Sequence, residues 1–259
     1  MDEDVRYEVA AGVARVTIDR PERRNAMSYG VMSGLRDAVA AARTDDTVRV
    51  VVLTGAGDRA FCAGADLGGI AENEGAAGAH EGRGLLADLF RDMWSLGKPI
   101  IARVRGYALA GGFGLACACD IVVAADDAVF GTPEINVGLW PYMITVPLLR
   151  SMSPKTALDL MMTGRRVDAH EGHRLGFVQR VVPVDELDAA VDGLAAELAS
   201  KSPLIMTWGR DAFYRVLEMN ADDALDYLQG MLTVTTLTDD AAEGVAAFAE
   251  KREPKWKGR

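Results

Sequence analysis

Apolar residues along this chain recur in two rhythms. Across residues 13–19, Val13, Val16 and Ile18 are β-formers and Pro21 closes the segment, so a strand is expected there. Past Ser28, the residues Val31, Leu35, Ala38, Val39 and Ala42 return at helical spacing, and Ser28 stands where an N-cap belongs. Residues 48–53 form a short β-branched run closed by Thr54-Gly55-Ala56-Gly57, the pattern of a strand buried on both faces. Glycines follow Phe61 at 64, 68 and 69, and residues 72–84 are rich in Gly, Ala and Glu, which reads as a mobile loop or weak helix.

The alternation continues. Residues 85–96 read as helix, broken by Lys98-Pro99, and residues 100–104 as another buried strand. Glycines at 106, 111, 112 and 114 lead into a short apolar helix ending at Cys119. Residues 121–124 and 129–130 read as short strands, residues 141–150, 154–162 and 168–175 as helices, and residues 177–182 as the last strand. From Glu186 onward the pattern is nearly all helical, broken at Ser202-Pro203 and near Asn220. Strands alternating with helices and then a helical tail argue for a parallel α/β core with a helical appendage.

Composition narrows the class. With 259 residues, 49% of them hydrophobic, the chain can bury a sizeable core as one α/β unit. A formal net charge of −10 argues against nucleic acid or an anionic membrane as partner, because attraction to phosphates dominates such binding. The N-terminus, Met1-Asp2-Glu3-Asp4, is acidic where a signal peptide needs a basic region, and no apolar run reaches the length of a membrane span. Three cysteines, Cys62, Cys117 and Cys119, read as reduced packing residues, and Cys117-Ala118-Cys119 lacks the spacer of a zinc or redox pair. The expected location is cytoplasmic. His80, His170 and His173 form no metal or triad set, so no metal is expected.

Four segments carry candidate chemistry. Gly55-Ala56-Gly57-Asp58-Arg59-Ala60 fits a dinucleotide fingerprint, but a glycine-rich segment follows where a helix must start, which argues against NAD. In Phe61-Cys62-Ala63-Gly64-Ala65-Asp66-Leu67, small residues just past a strand let backbone N–H groups approach a ligand, although a tight turn with no ligand has the same composition. In residues 104–114 a strand feeds a glycine cluster that opens a helix, whose free N–H groups suit a developing oxyanion; close helix packing also favours glycine. An oxyanion hole needs two convergent donors, so these two segments matter as a pair. In Phe130-Gly131-Thr132-Pro133-Glu134, a desolvated Glu134 would have a raised pKa and shuttle protons, whereas a solvated loop glutamate would do neither.

Together the chain resembles the crotonase superfamily, the enoyl-CoA hydratase/isomerase family. The matching pieces include Arg20-Pro21-Glu22-Arg23-Arg24-Asn25-Ala26, residues 60–67, Gly106-Tyr107-Ala108-Leu109-Ala110-Gly111-Gly112, Cys119-Asp120-Ile121 and residues 130–134, in order. The resemblance implies a spiral of repeated ββα units, with an acyl-CoA-binding core over residues 1–196. It also implies a C-terminal helical oligomerisation region over 197–259 that builds a homotrimer or a dimer of trimers. The implied ligand is an acyl-CoA thioester in fatty-acid or related metabolism, with no cofactor beyond the coenzyme A carried by the substrate. By motif position, the N–H groups of Ala65 and Gly111 would grip the thioester oxygen, and Glu134 would move the proton. Arg24, Ala26, Ala63, Asp66, Leu67 and Gly68 would lie along the CoA moiety, and Trp140 would help shape the acyl pocket.

The chain departs from the hydratase pattern, in which two glutamates hold a water. One position matches Glu134; the other falls on Gly114, and residues 107–119 offer no substitute acid. A single carboxylate suits Δ3-to-Δ2 double-bond isomerisation, while the family resemblance suits hydration of a 2-enoyl-CoA; both stay open, as does a catalytically silent acyl-CoA-binding protein. Lys251, Arg252, Lys255, Lys257 and Arg259 form a basic tail that would either meet CoA phosphates or cap a solvated helix end.

Overall fold

The computed structural model describes residues 2–66 and 76–259. Ten strands among them form two sheets. The larger has the order β1 (Val5–Ala10), β2 (Val13–Ile18), β3 (Val50–Gly55), β5 (Ile100–Val104), β7 (Ile121–Ala125) and β10 (Arg180–Val182). The smaller has the order β4 (Ala60–Cys62), β6 (Tyr107–Leu109), β8 (Val129–Gly131) and β9 (Arg166–Asp168). Only the β1–β2 hairpin and the β8–β9 pair are antiparallel.

This order shows how the chain winds. It lays a strand in the large sheet, a strand in the small sheet, then a helix: β3–β4–α2 (Ala76–Trp94), then β5–β6–α3 (Gly111–Ala118), then β7–β8. Repetition stacks the turns into a spiral, and because β4, β6 and β8 pair in parallel, their C-terminal ends fall side by side. The segments carrying Ala65, Gly111 and Glu134 follow those ends.

Strand alternation explains the core. In β3, Val50 and Val52 face a cluster with Leu187, Val191 and Leu194 of α7 (Leu187–Ala199), while Val51 and Leu53 face the main core. Ile101 and Val123 repeat the first orientation and Ala102 and Val122 the second, which is why these strands are apolar throughout. In the main core Phe113, Phe130 and Phe177 pack with centroids 4.9–5.6 Å apart. The first helix, α1 (Tyr29–Thr44), is capped as its sequence expects, with Ser28 Oγ accepting from Val31 N–H at 3.1 Å.

After β8 come a 3-10 turn (Pro133–Val137), α4 (Thr145–Ser151), α5 (Pro154–Thr163) and α6 (Ala169–Leu175). The helical end comprises α8 (Pro203–Val216), α9 (Ala221–Thr236) and α10 (Asp239–Glu250), with N-caps at Ser202, Asn220 and Thr238. The boundary at 196/197 lies inside α7, which continues to Ala199 with its apolar face on the large sheet. No helix among the described residues is long and apolar enough to cross a membrane.

Several elements differ from the hydrophobic pattern. β1, at the sheet edge, lies outside the elements expected above, although Val5, Tyr7 and Val9 alternate with Arg6 and Glu8; only Val5 is buried. β4 is three residues long, too short for periodicity to register. The helix before Lys98 begins by Ala76, and its Gly82 faces the Tyr29 ring, which occupies the space of a Cβ. The helix expected from residue 141 begins at Thr145, because residues 141–144 form turns that lead into it.

Candidate active site

Two consecutive residues in the left-handed region, Arg24 (φ 53°) and Asn25 (φ 56°), turn the chain beneath β4. Asn25 is fully buried; its amide donates to Ala56 O at 2.9 Å and to Ala60 O at 2.6 Å, and its Oδ1 accepts from Arg20 N–H at 3.0 Å. The residues beside it stitch down the next turn. Ala63 N–H donates to Arg24 O (3.1 Å), Met27 N–H to Gly64 O (2.8 Å) and Asp66 N–H to Met27 O (2.9 Å). The stitching uses the N–H groups of Ala63 and Asp66 and leaves Ala65 N–H without an acceptor among the described residues.

The head of α3 is the second turn. Ala110, its N-cap, holds φ 51° and ψ −127°, a strained conformation for a residue with a Cβ. Its N–H donates to Gly131 O at 2.8 Å, and its carbonyl accepts from Phe113 and Gly114, so the strain is held by bonds on both sides. Gly111 N–H at the helix start has no acceptor among the described residues. The two turns touch: a Cβ on Gly64 would lie 2.7 Å from Ala110 Cβ and 3.5 Å from Gly111 N. The wall beside Gly111 is apolar, since a Cβ there would lie 2.8 Å from Met27 Cε and 3.9 Å from Leu86 Cδ2.

Glu134 lies in the 3-10 turn just past β8, three residues beyond the Gly131 carbonyl that holds Ala110. Below it, Thr132 is buried and its hydroxyl donates to Leu160 O at 2.8 Å. Glu134 is half-buried, and its Oε2 is enclosed without a hydrogen-bond partner. Burial pushes its pKa above the ordinary glutamate value, partly offset by its own backbone N–H.

The remaining sequence candidates take varied places. Ala26 O accepts from Arg20 Nη1 at 2.8 Å, and the same guanidinium pairs with Asp66 (3.1 Å) and Asp4 (2.9 Å). The Arg24 side chain is exposed, and Trp140 is partly buried against the main core. Leu67 and Gly68 lie outside the described residues. Gly55 to Ala60 connects β3 to β4, not to a helix, so that turn presents no helix N-terminus to a pyrophosphate. The basic tail folds back onto α10: Arg252 forks onto Glu243 at 2.6 and 3.0 Å, Arg259 and Lys257 reach Asp239, and Trp256 Nε1–H donates to Ser200 O.

Two features have no counterpart in the motif analysis. Gly114 is packed against Ile144, and a Cβ at 114 would fall 2.5 Å from Ile144 Cβ; Ile144 itself is 3% exposed. The Tyr29 hydroxyl, like Glu134 Oε2, is buried with no partner. Both depend on through-space packing between distant segments, so no spacing along the chain marks them.

Comparison with known proteins shows the family and the fold. The model of the enoyl-CoA hydratase/isomerase family matches residues 8–259. A carnitinyl-CoA dehydratase from Proteus mirabilis is 35% identical over 264 positions, covering 100% of each chain. A protein described as a probable mitochondrial enoyl-CoA hydratase from Dictyostelium discoideum is 37% identical, covering 94% of this chain and 87% of the other. The crystal structure of an enoyl-CoA hydratase from Mycobacterium smegmatis superposes with a TM-score of 0.94 at 32% identity, covering 98% of this chain and 99% of that one. With the family model, full-length similarity and the fold in agreement, the chain is an enzyme and belongs to the enoyl-CoA hydratase/isomerase family.

Proposed function

We propose that this enzyme binds an acyl-CoA thioester, stabilises its enolate with the N–H groups of Ala65 and Gly111, and uses Glu134 as its single proton carrier to move a double bond from Δ3 to Δ2. Glu134 carries the proposal, because an enclosed carboxylate oxygen without a partner is a base aimed at something the folded chain does not itself supply. The two N–H groups support the reading as a pair, since both lack acceptors among the described residues and their turns are in contact. Each such donor is worth about 3–4 kcal/mol in the transition state.

The steps balance on one carboxylate. Glu134 takes a proton from C2 of the 3-enoyl thioester, and the C–H electron pair becomes the enolate held by the two N–H groups. The enolate electrons then form the C2–C3 double bond, the C3–C4 pair moves to C4, and C4 takes the proton back from Glu134. No cofactor is consumed. Arg24, Ala26, Ala63, Asp66, Leu67 and Gly68 are assigned to the CoA side and Trp140 to the acyl side.

Hydration or dehydration is the second reading, favoured by the names of the relatives, carnitinyl-CoA dehydratase and enoyl-CoA hydratase. Purified protein given 2-enoyl-CoA and 3-enoyl-CoA of several chain lengths separates the two. Isomerisation of the 3-enoyl ester supports the proposal, hydration without isomerisation replaces it with the second reading, and thioester binding without turnover identifies a silent homologue. The helical end carries outward-facing Leu225, Leu232, Leu237, Val245 and Phe248, which suits assembly into a homotrimer or a dimer of trimers. Three buried free thiols suit a reducing compartment such as the cytoplasm.

A further inference from the structure

Gly111 and Gly114 stand three apart on α3, so they are neighbours on one helical face. A side chain at 114 would therefore leave the helix beside the Gly111 N–H. That space is filled: the Ile144 side chain overlaps the position of a Cβ on Gly114, with Ile144 Cβ at 2.5 Å, and Ile144 is anchored in the main core at the start of α4. An absent carboxylate would by itself leave room for water. Here an aliphatic side chain, not water, occupies that room.

We infer that Ile144 is a specificity-determining residue that fills the position of a second acid, so that no carboxylate can be seated there to hold a water at the enolate. This rests on the proposed single-carboxylate chemistry and adds a steric cause to it. Water needs two to four polar partners and stays out of apolar voids. Ile144→Ala alone therefore opens a dry cavity with no group to hold a water, and the ratio of hydration to isomerisation should not rise. Gly114→Glu alone meets Ile144 and cannot seat its carboxylate. Only the two together supply both room and a group to hold water: with Glu134, the new carboxylate would hold the water whose oxygen attacks C3 of a 2-enoyl thioester, one carboxylate taking the water's proton and a proton being delivered to C2.

The test is the ratio of hydration to isomerisation in wild type, Ile144→Ala, Gly114→Glu and the double variant, with folding followed by circular dichroism. Each single variant should leave the ratio within about twofold of wild type, and the double should raise it at least tenfold. A folded double variant with the wild-type ratio overturns the inference, as does Gly114→Glu alone raising the ratio as far as the double. If the double does not fold, Gly114→Asp with Ile144→Ala, which asks for less space, carries the same readout. Failure of the underlying reading looks different: a wild type that hydrates without isomerising rejects the isomerase proposal whatever the variants do. If the wild type turns over nothing, hydration gained by the double alone still supports the role of Ile144, and none overturns it.

Discussion

Arg210 of α8 meets Asp120 across 90 residues of sequence, with Nε 2.9 Å from Oδ2. Tyr214 donates its hydroxyl to the other carboxylate oxygen at 2.6 Å, Ile100 N–H donates to Oδ2 at 2.7 Å, and the guanidinium also donates to Met93 O and Trp94 O. The Arg210 side chain is 6% exposed and that of Asp120 19%. The network joins the helical end to β5, β7 and α2, so the spiral and the appendage are fastened by one satisfied charge cluster.

Asp120→Ala should break that fastening. It leaves a buried guanidinium without its counter-charge, a loss of about 3–5 kcal/mol, or a Tm lower by about 10 °C. Tyr214→Phe removes one hydrogen bond to a charged group and should cost only about 1.5–3 kcal/mol. Thermal unfolding of both variants checks the order, and an Asp120→Ala shift of under about 2 °C would reject the network as a fastener.

Glu134→Gln should lower kcat/KM on its preferred enoyl-CoA by about 10²–10⁴-fold, the usual contribution of a positioned acid–base group. In the wild type the acid limb of the pH profile should lie above the ordinary 4.5 of a glutamate, because burial disfavours the charged form the reaction needs. Stopped assays across about pH 4–8 measure both effects. Full activity in the variant removes Glu134 from the chemistry.

Glu134 should also weaken the fold that holds it. Its folded pKa is raised, so between the unfolded and folded values the native chain binds more protons than the unfolded one. Stability therefore falls as pH rises through that window and stays reduced above it. Glu134→Gln should melt higher than wild type near pH 8, and the gap should close toward pH 4, below the unfolded value. A variant less stable than wild type at pH 8 contradicts this sign.

Much of this was legible in the chain. Buried strands such as Val50–Gly55 are apolar throughout because two cores sandwich them, and Ser28, Ser202 and Asn220 mark helix starts by chemistry a sequence displays directly. Glu134 and the two glycine-rich turns stood out for the same local reasons. What stayed hidden is set by packing between distant segments. Ile144 looks like any core residue until Gly114 is seen against it, and the basic tail looks free until Asp239 and Glu243 are seen to hold it. β1 is absent from the expected elements although it was legible, since Val5, Tyr7 and Val9 alternate with Arg6 and Glu8.

Gly64→Ala should be more damaging than its size suggests. Gly64 sits at φ 102°, and an added Cβ would meet Ala110 Cβ at 2.7 Å. Backbone strain costs about 1–3 kcal/mol, and the collision pushes apart the turns that carry the Ala65 and Gly111 N–H groups. A misplacement of about 1 Å at a reacting centre can cost about 10²-fold in rate, so activity should fall by that order while the protein still folds. Circular dichroism with steady-state kinetics separates the two, and a folded variant of wild-type activity would show that these turns do not form the site.

Asn25 offers the means to separate conformation from bonding at the same place. Its side chain makes three hydrogen bonds while its backbone holds φ 56°. Asn25→Gly keeps the backbone conformation easy and loses the bonds; Asn25→Ala loses the bonds and adds left-handed strain of about 1–2 kcal/mol. Both should destabilise, because Arg20 N–H and Ala60 O are left without their partner at about 1–3 kcal/mol each, and alanine should be the worse by the strain. Since Arg24 O holds Ala63 N–H, loosening this corner should also move Ala65, so kcat/KM should fall in both variants. Urea unfolding and kinetics on the pair provide the check. Equal stability of the two variants would mean that hydrogen bonding alone selects asparagine here, and undiminished kcat/KM in both would detach the Asn25 corner from the position of the Ala65 donor.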